Sequence, residues 1–219
     1  MRLSKIKFGR RVHFDKRSRK FPIIALIPAG TIPRSYTWRC LLNLDQGQTP
    51  ACVGFSWTHE AAARPVEVQG LTNATGMQVY KLAQKLDDEP GENYEGSTVL
   101  GGAKAAQTKK WLKEYRWGFS LDDAILALGY HGPGVAGLNW YSGMMDVDSK
   151  GFIHPTGQLE GGHAILVHGV NVKGQYVKLW NSWSKSWGIN GGCYLSFDDF
   201  GRLLQEQGEF CIPVIRNLG

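Results

Sequence analysis

Four residues in two distant parts of the chain have the types needed for acyl transfer through sulfur: Gln46 and Cys52, and His163 and Asn181. In DQGQTPACVGFSW the thiol of Cys52 follows Pro50 and precedes an apolar helical pattern that begins at Val53. That spacing puts the sulfur at or near a helix N-terminus, where unpaired backbone N–H groups and the helix dipole stabilise a thiolate. The same N–H groups can hold an oxyanion formed when sulfur attacks a carbonyl, and Gln46 can add a side-chain amide from the preceding turn. His163 is suited to taking and returning the proton, and the Asn181 amide to orienting the imidazole.

Imidazole and amide can act together only if their strands bring them together. GGHAILVHGVNV and QYVKLWNSW are β-branched and aromatic runs separated by Lys173–Gly174, which predicts a tight hairpin. Antiparallel pairing about that turn puts position 184 opposite His163, and Asn181 falls within the slack of a bulge. His163 and Asn181 are therefore expected at the same end of two neighbouring strands. His168, an odd number of places further on, faces the other side of its strand. Upstream, CVGFSWTHEAAA, ATGMQVYKLAQKL and GGAKAAQTKKWLKEY repeat apolar residues at helical spacing between about 52 and 115, with Ser97 and Thr98 available to cap the third helix. A fourth helix begins near Ser120, with Asp122 and Asp123 in its first turn. A helical half followed by a strand-rich half predicts an α+β protein of two lobes, and a cleft between lobes is a common binding site.

The formal charge of +6 on 219 residues is unevenly spread. Residues 1–20 hold nine Lys or Arg against Asp15 alone, so the remaining chain is slightly acidic. This leader is expected either to contact an anionic partner or to be a solvated segment; it has no recognisable nucleic-acid module. FPIIALIPAG, broken by Pro22 and Pro28, reads as an extended stretch lying on the body rather than an export signal. No run approaches the roughly 20 apolar residues of a membrane span. The expected compartment is cytoplasmic and reducing, with Cys40, Cys52, Cys193 and Cys211 as free thiols, although a Cys193–Cys211 bridge stays open. No cysteine pair has zinc-ligand spacing, and His59-Glu60 lacks the second histidine of a zinc peptidase helix, so neither metal nor cofactor is expected.

Taken in order, Gln46-Gly47, Cys52, Gly162-His163-Ala164 and Asn181-Ser182-Trp183 resemble the active-site segments of papain-like cysteine peptidases. IPRSYTWR resembles the start of the mature enzyme in that family, and WSKSWGINGGCYLSF its Trp-Gly and Asn-Gly-Gly segment, so the resemblance runs from Ile32 nearly to the C-terminus. It implies a papain-like two-lobed α+β fold with an active-site cleft between a helical N-terminal lobe and a β-rich C-terminal lobe. The expected division is a leader at 1–31, a helical lobe at 32–118 and a β-rich lobe at 119–219. The resemblance also implies that Cys52 is the nucleophile, His163 the general base and then acid, and Asn181 its orienting partner. Gln46 and the Cys52 N–H would hold the oxyanion. Trp183 would cover the His–Asn contact, Gly96 and Ser97 would pair with an extended substrate backbone, and Ala164 would border the substrate. The implied protein is a monomer that acts on peptides or proteins.

Three features depart from the family pattern. Thr49 or Pro50 stands where a cysteine is usual, Val53 replaces an aromatic residue after the nucleophile, and only 111 residues separate Cys52 from His163 against roughly 130–150 in the papain group. The leader is too short to resemble a long helical inhibitory propeptide, so either the protein is made active or something else restrains it. Taken singly, Cys52 reads as a core thiol and His163 as a structural histidine; the ordered set reverses that reading. Two other classes fit the same residues: a thiol amidase or acyl transferase, and a catalytically silent binding module of the same fold.

Overall fold

The apolar runs fall into two halves of the chain, and the computed structural model, which describes residues 6–216, packs the helices of the first against the sheet of the second. The leader holds β1 (Arg10–Arg11), and β2 (Tyr36–Thr37) follows. Then come α1 (Cys52–Ala62), α2 (Asn73–Leu86), β3 (Ser97–Thr98) and α3 (Val99–Thr108). The second half holds β4 (Leu112–Gly118), α4 (Leu121–Tyr130), β5 (Gly134–Tyr141), β6 (Leu159–Asn171), β7 (Tyr176–Trp180), β8 (Gly192–Ser196), α5 (Phe197–Gln205) and β9 (Glu209–Arg216). Helices α1 to α3 form one lobe and a seven-stranded sheet ordered β4-β9-β5-β6-β7-β8, with β2 on β6, forms the other. The α+β, two-lobed architecture is as the sequence implied.

Helix α1 is buried from Cys52 to Ala61 with little one-sidedness, as befits a helix enclosed on every side. It lies between α2 and β6 and so joins the two lobes. One core gathers Val53, Trp57, Val79 and Leu100 from the helices with Val135, Ala164 and Cys211 from the sheet. A larger core under the sheet gathers Leu128, Leu138, Trp140, Ile165, Leu179 and Phe200.

The hairpin forms in the register that its turn predicts near the loop, with Asn171 opposite Tyr176 and Gly169 opposite Lys178. A bulge between Val167 and Gly169 then shifts the pairing, so that Leu166 faces Trp180. The shift brings Asn181, just past the end of β7, closer to His163. The third helix is shorter than its spacing suggested: α3 stops at Thr108, and Leu112–Gly118 is a strand. Trp111 N–H closes on Ala106 O, Lys110 takes φ 61°, and β4 pairs antiparallel with β9. Long-range pairing outweighs local helical spacing there. The segment after Phe21 is not fully extended, since Ile23–Leu26 make a 3-10 turn; Ile23 is buried and Phe21 O accepts from Trp117 N, so it does lie on the body. All four cysteines are free and buried, so Cys193 and Cys211 form no bridge. No described helix is long and apolar enough to cross a membrane.

Candidate active site

Cys52 is the first residue of α1, and its Sγ accepts a hydrogen bond from Ala164 N at 3.4 Å. The helix tip thereby sets the sulfur beside the residue that follows His163 on β6. His163 is fully buried, and its Nε2 lies 2.9 Å from Asn181 Oδ1. That oxygen also accepts from Ser182 N at 2.8 Å, which fixes it as the carbonyl end of the amide. An amide oxygen cannot donate, so Nε2 must carry the hydrogen and the lone pair of the neutral ring lies on Nδ1. Nδ1 has no hydrogen-bond partner. The basic nitrogen is left free, which is what a group that accepts a proton from a neighbouring thiol requires.

Gln46 is buried in the loop before α1. Its Oε1 accepts from Ser182 Oγ at 2.7 Å, so the amide is oriented and Nε2 donates to Thr49 O at 2.8 Å and, more weakly, to Lys7 O at 3.4 Å. The Gln46 N–H also bonds to Ser182 O at 2.9 Å, tying the nucleophile loop to the Asn181 loop. Trp183 lies against the His163 ring with centroids 5.0 Å apart. Trp140 meets the same ring at 4.7 Å and Trp183 at 5.4 Å, enclosing the imidazole in aromatic surface. Gln46, Cys52, His163, Ala164, Asn181 and Trp183 are thus linked through direct contacts and the Ser182 bridge. His168 is not among them: it bonds Trp38 O through Nδ1 at 3.0 Å, away from the sulfur. Trp140 went unremarked in the sequence, although it sits on β5, two places along from the residue opposite His163; Ser182 was marked only as part of the Asn181-Ser182-Trp183 segment, without a role of its own.

The groove beside Cys52 is filled by the chain's own leader. Strand β1 pairs parallel with β3, Arg10 opposite Ser97 and Arg11 opposite Thr98. Ser97 N donates to Gly9 O at 2.8 Å, and the Gly9 N–H is turned to the Cys52 sulfur. A Cβ at Gly9 would overlap the Pro50 carbonyl, so only glycine fits so close to the helix tip. Gly96 (φ 90°) likewise leaves no room for a Cβ beside Gly9 O. The Phe8 ring stands edge-on to His163 and Trp183 at 6.0 and 6.2 Å. Cys52 and His163 are in consequence 0 % exposed. Open hollows of 390 Å³ beside Arg39 and Glu67, and 510 Å³ beside Asp15 and Tyr115, do not include them.

Basic side chains of the leader and the His13 imidazole meet carboxylates of the body. Lys7 pairs with Glu95, Arg11 with Glu89 at 3.1 Å, His13 with Asp88 at 3.0 Å and Arg10 with Glu209 at 3.0 Å. The anionic surface that the basic leader contacts here is the chain's own. His13, Asp15 and Asp88 come close enough to share a cation, but they are not buried and no second feature marks them as a site.

Enclosure governs the electrostatics. Burial pushes the Cys52 thiol up, opposed by the N–H groups of Ala164, Gly9 and Val53 and by the charge of Arg10. Burial takes His163 down to about 4, against the pull of its Asn181 bond. Both shifts disfavour the thiolate–imidazolium pair, so the closed site holds neutral thiol and neutral imidazole. The leader strand blocks the groove over Cys52 and His163.

No family model matches the chain, and no curated protein sequence does. Solved structures do. Xylellain, a cysteine protease from Xylella fastidiosa, superposes with a TM-score of 0.70 at 17% identity over 96% of this chain and 97% of its own. A digestive procathepsin of the Tenebrio molitor larval midgut gives 0.63 at 17% identity, over 98% and 81%. Bromelain from Ananas comosus gives 0.63 at 14% identity, over 84% and 100%. The chain has the papain-like cysteine protease fold.

Proposed function

We propose that this chain is a cysteine peptidase that hydrolyses peptide bonds through an acyl-enzyme and is held latent by its leader. The observation that carries this reading is the free Nδ1 of His163. The Asn181 carbonyl accepts from Nε2 and so leaves the lone pair on Nδ1, on the strand whose next amide donates to the Cys52 sulfur.

With the leader displaced, water and substrate replace it over Cys52 and His163. The burial that opposes charge separation is relieved, and the helix tip and the Ala164 N–H favour a thiolate. The His163 Nδ1 takes the thiol proton. The sulfur attacks the carbonyl carbon, and the oxyanion is held by the Cys52 N–H and the Gln46 Nε2 group, which in the closed form donates to the carbonyl of Lys7. The imidazolium returns the proton to the leaving amine, and water activated by the same nitrogen releases the acid. Asn181 keeps the ring in its productive tautomer, and the indoles of Trp183 and Trp140 keep water from the His–Asn bond.

The test is a digest of a mixed peptide library by a full-length Gly9→Leu variant, in which the new side chain would collide with the Pro50 carbonyl and expel the leader. Cleavage of internal peptide bonds that disappears on adding Cys52→Ala is the expected result. Cleavage that persists without Cys52 overturns the reading.

A further inference from the structure

The two halves of the leader face different ways. Lys7, Arg10, Arg11 and His13 turn to carboxylates of the body, but between Phe14 and Leu26 most of the charged and large apolar side chains face solvent. Lys16, Arg17 and Lys20 are exposed, and among the described residues the one ion pair of this stretch joins Arg17 to its own neighbour Asp15, at 2.8 Å. The 3-10 turn Ile23–Leu26 is anchored from below: Ile23 is buried, Ile27 closes the turn and is buried too, and Pro22 bridges to Trp117 on β4. Sinking those two isoleucines forces the side chains between them outwards. Ile24 and Leu26 are 42 % and 40 % exposed, and Phe21 just before the turn is 52 % exposed.

Cations of the body flank this apolar turn. Phe21, Lys113 and Arg116 line one open hollow, with the Arg116 guanidinium 5.8 Å from the Phe21 ring. Arg17 and Lys104 add to its basic wall, while its carboxylates, Asp15 and Glu114, are engaged by Arg17 and Arg116. Next to it along the leader, Arg19 is held between the rings of Phe14 and Phe119, at 4.7 and 4.5 Å. Cations interleaved with exposed apolar side chains on an anchored turn mark a contact surface, and the charge calls for an anionic partner. Ile24 and Leu26 decide its class. They offer a nucleic acid neither a stacking face nor a hydrogen bond. A bilayer has both layers that this surface needs, negative headgroups for the cations and hydrocarbon just beneath for the apolar side chains. The aliphatic stems of lysine and arginine can lie along the boundary between the two.

We infer that the surface from Phe14 to Leu26, with Lys113 and Arg116 beside it, docks the chain on an anionic phospholipid bilayer. The basic side chains meet the headgroups, and Phe21, Ile24 and Leu26 enter the interfacial layer without crossing it. These side chains are already exposed with the strap seated over Cys52, so docking needs no opening of the groove. The contact stands independently of the peptidase reading.

The test sediments the full-length chain with vesicles of phosphatidylcholine alone and of phosphatidylcholine mixed with phosphatidylserine. Binding to the mixed vesicles should be at least about tenfold tighter, and should weaken as salt is added. Ile24→Ser with Leu26→Ser, and separately Lys16→Glu with Lys20→Glu, should each lower that binding at least about tenfold. All four positions are exposed, so these changes leave the core intact. Lys81→Glu with Lys85→Glu makes the same change of net charge on the exposed side of α2, and should alter binding by less than about twofold. Because the native cysteines are buried, Ile24→Cys can carry an environment-sensitive dye, whose emission should shift to the blue on the mixed vesicles. Binding to neither vesicle, equal binding to both, or an equal loss in the α2 variant would overturn the inference, the last by reducing it to net charge. So would a dye that does not shift. A DNA duplex bound more tightly than the vesicles, and equally by the parent and the Ile24→Ser, Leu26→Ser chain, would overturn it in favour of a nucleic acid.

Discussion

Asn181 does two jobs through one atom: its Oδ1 accepts from the His163 ring and from Ser182 N, and the second bond guarantees which end of the amide the ring meets. This makes the side chain an orienting group rather than a proton carrier. In a leader-released background, Asn181→Ala should therefore lower kcat less than His163→Ala, and equal losses would contradict that division of labour. Gln46→Ala should cost on the order of 10²-fold in kcat with little change in KM, the signature of a donor that matters most when negative charge develops. Steady-state kinetics on one peptide substrate measure both. These residues could be read from the sequence because each is marked by its neighbours: Pro50 and the helical run place Cys52, and the Lys173–Gly174 turn brings His163 and Asn181 to one end of a hairpin. Arg10 and Glu209 carry no such mark. They are 199 positions apart, and an arginine within a basic run reads as a solvated charge until the sheet places Glu209 beneath it.

At the scale of elements, the leader strand is held by shape as much as by charge. Gly9 fits under Pro50 and against Gly96, and Gly162 lies against the Arg10 carbonyl. Replacing Gly162 with alanine should push the leader off without removing any proposed catalytic group. Limited trypsin digestion would then cut at leader Lys and Arg residues at least about tenfold faster than in the parent chain; unchanged protection would mean that the strap is not held there. Helix α4 offers an independent check on local reading. Ser120 Oγ accepts from Asp123 N at 3.1 Å, and Asp123 Oδ2 accepts from Phe119 N at 2.8 Å. Ser120→Ala should cost about 1 kcal/mol in denaturant unfolding. That helix start was legible because a cap is a local event. The end of α3 was not, because WLKEY has helical spacing and only β9, a century of residues later, recruits it into a sheet.

For the whole molecule, enclosure sets the pH response. Burial lowers His59 to about 3, and His163 and His168 to about 4. The unfolded chain takes up those protons near pH 6.5 while the folded chain does not, so stability is full above that pH and drains away as pH falls towards 4. Each histidine should remove about 2 kcal/mol by pH 5. Glu209, raised by burial to about 7 against the pull of Arg10, acts in the opposite sense: its folded form holds a proton that the unfolded form releases, and this contribution is lost as pH rises through 7. Denaturant titrations at pH 7.5 and 5 should show lower stability at the acid end, with the histidines outweighing the one carboxyl; higher stability at pH 5 would contradict the balance. The uneven charge along the sequence acquires a meaning only at this scale, since the basic leader lies on the acidic segment between Asp87 and Glu95. The most direct test of a thiol nucleophile under a removable strap is the rate at which an epoxide thiol reagent labels Cys52, with the adduct mapped by peptide mass. Labelling should be slow in the parent chain, at least about tenfold faster in Gly9→Leu, and confined to Cys52. Equal rates in the two proteins, or an adduct on Cys40, Cys193 or Cys211 instead, would contradict it.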